Sequence, residues 1–137
     1  MGAASVAEWA RANPSGRDAL LALAERAVAL QPAAEAAIHG CRAGPGGAGA
    51  AQDAAATRGA YRSLADHLHA LGLQAEVAAE LGRLLDQHLA ALEAAMTGEG
   101  ADAGLGPAAG RLVGLRDQLR RTVAVGGRPV SDVTPSV

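Results

Sequence analysis

Residues 74–96 read QAEVAAELGRLLDQHLAALEAAM, and this stretch decides the fold. At the helical advance of about 100° per residue, Val77, Leu81, Leu84, Leu85, Leu92 and Ala95 gather on one face. Glu76, Arg83, Asp86 and Glu93 fall on the other, the pattern of an amphipathic helix with one side against a core. His88 lies in the middle of the apolar stripe, where a leucine would be expected.

The flanking sequence repeats the pattern. Upstream, Thr57, Tyr61, Leu64, Leu68 and Leu71 predict a helix over 50–71, closed by Gly72. Before it, the glycine-rich run 43–49 predicts a loop. Earlier still, Leu20, Leu23, Ala24, Ala27, Leu30, Ala34, Ile38 and Cys41 recur at helical spacing. Pro32 falls inside that run and predicts a kink or a division, because its ring clashes with the preceding turn and frees a carbonyl there. Ser5 and Glu8 have the spacing of a capping box and predict a short helix that ends at Asn13-Pro14, with Ser15 starting the next. Downstream, a second glycine-rich loop precedes Pro107, which suits the first turn of a helix carrying Leu112, Leu115, Leu119 and Val123. Residues 126–137 contain two prolines and no helical pattern and predict a flexible C-terminal tail.

These elements predict an all-α protein, an antiparallel four-helix bundle with a short extra N-terminal helix. The expected divisions are 1–14 for the N-terminal segment, 15–125 for the bundle and 126–137 for the tail. The chain has 137 residues, with 36 Ala and 17 Leu, so a single thin core of closely approaching helices follows. The one cysteine, Cys41, excludes a disulfide framework within the chain and a Cys-based zinc site. No apolar run reaches the roughly 18 residues of a membrane span. The 12 Arg with no Lys, among so much Ala and Gly, point to a GC-rich bacterial genome. The N-terminus lacks a basic segment followed by an apolar one, which predicts a cytoplasmic protein.

His88 requires a polar neighbour wherever it is buried. Gln31 holds the corresponding position beside Pro32 on the first long helix, and Tyr61 is on the core stripe of the second. These three, with Glu35 one turn beyond Gln31, make a candidate polar pocket. It has two readings: a hydrogen-bonded core network that fixes helix register, or a site that binds a small molecule or does general acid–base chemistry. Metal sites in bundles need four or more inward ligands. Glu35 and His39 lie at the edge of the stripe, and Asp66 and His69 lie opposite Leu64 and Leu68, so no metal and no cofactor are expected.

Two segments, Arg62 to His67 and Arg83 to His88, have the form Arg-x4-His. This spacing resembles the signature of HEPN-domain ribonucleases, small helical bundles that act as dimers. The resemblance implies Arg and His acting together on an RNA backbone, with a polar residue after the Arg, met here at Ser63 alone. Residues 107–137 carry five Arg and two Asp, whereas the whole chain carries a net charge of −2. That balance argues against broad nucleic-acid binding. Arg116 and Arg120 are candidate interface residues on this basic helix. Trp9 is another, since it either clips the first helix over the end of the bundle or anchors a partner subunit.

The leading expectation is a helical-bundle protein that acts through protein–protein interaction, with a partner or as a homodimer, because the stripes could exceed what one small bundle covers. The alternative is a small-molecule-binding or acid–base enzyme around His88. A further one is RNA binding or HEPN-like cleavage.

Overall fold

The computed structural model describes residues 3–42, 48–98 and 105–133. All its regular elements are helices, and the described residues contain no strand. They are α1 (Ala3–Ala12), α2 (Pro14–Ala29), α3 (Gln31–Arg42), α4 (Ala48–Leu71), α5 (Glu76–Thr97) and α6 (Pro107–Val133).

The first boundary differs from the capping-box expectation. α1 already begins at Ala3, so Ser5 is inside the helix rather than at its cap. α2 begins directly after Asn13 rather than at Ser15, because Pro14 needs no backbone donor in a first turn. The Asn13 side chain does not cap α2; its Nδ2 donates to the Trp9 carbonyl at 3.0 Å and closes α1 instead.

Pro32 divides the next stretch. α2 stops at Ala29 and α3 starts at Gln31, with the Leu30 amide donating to the Arg26 and Ala27 carbonyls. Proline at 32 has no N–H for the Val28 carbonyl one turn back, which is why the break falls here. α4 ends at Gly72, whose φ of +63° is open to glycine at little steric cost. Three residues, Leu73, Gln74 and Ala75, then lead to α5, so α4 and α5 form a hairpin of antiparallel helices. Leu68 approaches Gly82, Tyr61 stacks near His88, and Arg62 reaches Glu93, so that numbers rise on one helix as they fall on the other. α2 runs antiparallel to α6, with Glu25 beside Arg120 and, just past the end of α2, Gln31 beside Ala109.

The predicted stripes supply the core. Val77, Leu81, Leu84, Leu85, Leu92 and Ala95 of α5 are all buried, as are Leu20, Leu23, Ile38, Leu64, Leu68, Leu112, Leu115 and Leu119. They form one cluster within the chain. Leu30, Cys41 and Leu71 of those stripes are only partly buried, packed against the edge of the cluster. Alanines at 24, 27, 34 and 54 are completely buried between the helices, which lets the backbones come close.

The backbone of α6 continues to Val133, where the sequence predicts a tail from 126. Extending a helix already anchored at Leu112, Leu115 and Leu119 needs no new nucleus, which the local pattern does not reveal. Residues 134–137 lie outside the described residues. No described helix is long and apolar enough to cross a membrane.

Candidate functional site

Four helices meet at His88. It sits in the middle of α5, fully buried, and α5 aims it inward because it shares a face with Leu81, Leu84, Leu85 and Leu92. Its Nδ1 lies 2.6 Å from the Leu84 carbonyl, one turn back on the same helix. A carbonyl only accepts, so Nδ1 carries the proton and Nε2 is the lone-pair nitrogen. Gln31 Nε2 is 3.1 Å from His88 Nε2 and donates to it. The same amide nitrogen donates to the Ala109 carbonyl of α6 at 3.2 Å. Both hydrogens of the Gln31 amide are thereby used, one on α5 and one on α6.

The break at Leu30 makes this possible. Gln31 is the first residue of α3, and the turn around Leu30 directs its side chain into the space between α5 and α6. Tyr61 enters from α4, with its ring 5.2 Å from the imidazole and tilted by 42°. Its hydroxyl donates to the Ala27 carbonyl of α2 at 3.1 Å, so it binds the break from the other side. The predicted trio is therefore brought together, although Tyr61 touches the imidazole through its ring and not through its hydroxyl.

Glu35 is not part of the contact. It lies one turn farther along α3, exposed, and acts on the cluster only through its charge. Burial lowers the His88 pKa below its ordinary 6.5, while the Leu84 hydrogen bond and the Glu35 charge oppose that shift. Burial, assisted by Glu35, raises the Tyr61 phenol well above its ordinary range. At neutral pH both side chains are uncharged, as a closed apolar setting requires. No buried side-chain nitrogen or oxygen of the described residues lacks a hydrogen-bond partner.

This geometry ties helices together around a neutral, buried imidazole. A general base must reach the proton that it removes. The imidazole has no exposed surface, and protein atoms hold both of its nitrogens. Two surface grooves among the described residues lie elsewhere. One of about 550 Å³ runs beside the α4–α5 turn, between Leu68, Ala78 and Gly82, with His69 and Asp86 on its lining. Another of about 360 Å³ lies between Arg26 and Leu30 of α2 and its C-cap and Ala60, Ser63 and Leu64 of α4.

The structure distributes the other candidate residues singly. Trp9 is half-buried, with its ring beside Gly16 of α2, and α1 packs mainly against α6 and then α2. Arg120 makes a bidentate ion pair with Glu25 at 2.7–3.1 Å, and Arg116 pairs with Asp117 at 2.9 Å. Neither is an unpaired cation on an open face. Arg83 is exposed and pairs with Glu80, whereas His88 is buried, so this Arg-x4-His pair points in two directions. Arg62 binds Glu93, with His67 exposed five residues on. Glu35, His39, Asp66 and His69 are exposed, and no three His, Cys, Asp or Glu among the described residues are grouped to hold a metal.

Sequence reasoning missed the Leu84 and Ala109 carbonyls, which complete the node. Backbone acceptors carry no residue identity, so no sequence signal marks them. The Glu25–Arg120 pair was equally hidden, because it joins positions 95 residues apart. The chain matches no protein-family model, no curated protein and no solved structure.

Proposed function

We propose that this protein acts by binding another protein or a second copy of itself, as a structural, accessory or regulatory subunit, and that its buried polar node serves the fold. One observation carries the reading: the convergent polar group of the described core is fully used internally. His88 has a protein partner on each nitrogen, and the Gln31 amide spends both hydrogens on α5 and α6. A node of this kind fixes which faces of α3, α5 and α6 meet, since any other register leaves the imidazole unpartnered. In the same reading α2 and α3 serve as one bent arm. With α4, α5 and α6 they make an antiparallel four-helix bundle, to which α1 is added at the end.

The test is the mass of the full chain in solution and in its host. Sedimentation velocity over a wide concentration range reports self-association, and crosslinking with mass spectrometry reports a heterologous contact. The expected result is a defined dimer or one reproducible partner, kept in His88→Leu provided that this variant is folded. A chain that stays monomeric and crosslinks to nothing overturns the proposal. So does an enzymatic or ligand-binding activity that disappears in folded His88→Leu.

A further inference from the structure

The hydrogen-bond directions at the node permit only one protonation state. With His88 neutral, Nδ1–H donates to Leu84 and Nε2 accepts from Gln31, which donates also to Ala109. A proton added at Nε2 would set that N–H against the Gln31 amide donor. Turning the amide over would give Nε2–H an acceptor, but would set the Gln31 oxygen against the Ala109 carbonyl oxygen. Neither orientation of Gln31 satisfies an imidazolium at this place, so charging His88 requires Gln31 to leave Ala109 or the ring to leave the core.

We propose that the His88–Gln31–Ala109 node is an acid-sensitive latch, which holds α3 to α5 and α6 when His88 is neutral and releases α3 when it is protonated. The place of Gln31 suits this role. It is the first residue after the break at Leu30, so α3 can pivot there while α2 stays packed through Leu20, Leu23 and Ala24. The groups facing the imidazole do not compensate for a charge. α4 brings the neutral Tyr61, α2 reaches the node only through the Ala27 carbonyl held by that tyrosine, and α6 brings the Ala109 carbonyl. α3 brings the Glu35 carboxylate, but it acts from the solvent side without contact.

Burial lowers the pKa of the docked imidazole, whereas a released one regains the ordinary 6.5. Docking is therefore fully favoured above that value and weakens as pH falls towards the lower pKa of the docked state. Across that window the ratio of released to docked α3 rises about tenfold per pH unit. His39, His67 and His69 are exposed, so replacing His88 isolates the buried ring.

The experiment follows the full, nitrogen-15-labelled chain by NMR from pH 8 downwards, with long-range imidazole spectra and amide hydrogen exchange corrected for its intrinsic pH dependence. The expected result is a neutral His88 in the Nδ1–H form, followed on acidification by loss of protection across α3 at a pH where α4 and α5 remain protected. Gln31→Glu provides the second variant: its carboxylate accepts from Nε2–H and raises the pH at which His88 takes its proton, while its oxygens forgo the Ala109 carbonyl, so α3 is held to α5 alone and shows no acid-triggered release. An Nε2–H tautomer at neutral pH overturns the latch. It is equally overturned if α3 stays protected while His88 takes up its proton, or if the same acid transition persists in folded His88→Leu.

Discussion

Gln31→Leu, His88→Leu and the double variant form a cycle whose outcome follows from the node. In Gln31→Leu the imidazole Nε2 remains fully buried and loses its donor. An orphaned buried acceptor costs about 1–3 kcal/mol. The Ala109 carbonyl loses its side-chain donor too, but it lies in the first turn of α6 and keeps the helical donor one turn on. His88→Leu is milder. It removes the ring with its needs, leaves the Leu84 carbonyl its helical donor, and leaves half-buried Gln31 bound to Ala109. One amide hydrogen is then unpaired near the surface, a cost of about 1 kcal/mol or less. In the double variant no polar group remains at the contact, so its stability should lie near that of His88→Leu. The double variant is then more stable than the sum of the single losses by the whole cost of Gln31→Leu, about 1–3 kcal/mol, within the range measured for contacting residues. Urea unfolding followed by circular dichroism at pH 8, where the ring is neutral, reads these values, with unchanged slopes as the condition for comparing them. By size scaling, each kcal/mol is worth roughly 4 °C in Tm for a chain of this length. Single losses that add to within about 0.3 kcal/mol would refute the shared hydrogen bond.

Four further outcomes follow from the contacts within the chain. Tyr61→Phe removes the hydroxyl bond to Ala27 but leaves that carbonyl its Leu30 donor at 3.2 Å, so a loss of about 1 kcal/mol is expected in the same urea assay. Leu81→Ala, at a fully buried position in a core poor in large side chains, should cost about 2–5 kcal/mol and be visible as a lowered Tm. Gly59→Ala adds a methyl in open space on exposed α4 and should stabilise the chain by about 0.5–1 kcal/mol. Gly16→Ala should not show that gain, because its methyl would sit 3.1 Å from a Trp9 ring carbon and 3.3 Å from Leu73. A shifted Trp9 fluorescence in Gly16→Ala, and not in Gly59→Ala, checks the difference.

The helices were legible because their signals are local. The period of Val77, Leu81, Leu84, Leu85 and Leu92 specifies a helix and its inner face wherever the partner lies. Gly72 and Pro32 act within one turn of themselves, and the breaks fall where they predict. Caps were less legible. Pro14 outweighed Ser15 at the start of α2, since a proline at the first helical position settles the start more firmly than a hydroxyl at the cap, and α1 already begins two residues ahead of Ser5. The backbone of α6 runs to Val133, past the expected start of the tail at 126, because an anchored helix extends without a new nucleus.

The candidate site shows where local reasoning stops. That Gln31, Tyr61 and His88 face inward could be read from each helix alone, because burial of a polar side chain demands a partner. What they bind could not. Gln31 divides its amide between His88 and the Ala109 carbonyl, Tyr61 turns its hydroxyl to Ala27, and Glu35, one turn past Gln31, is left outside. Trp9 covers Gly16, and Arg120 joins Glu25, for the same reason. Periodicity gives each helix a face but neither its neighbours nor its rotation against them. The sequence by itself thus determined the helices and which side of each seeks the core. The tertiary structure decided which backbone carbonyls complete the polar node, because a hydrogen bond depends on distances of a few tenths of an ångström that only the packed helices set.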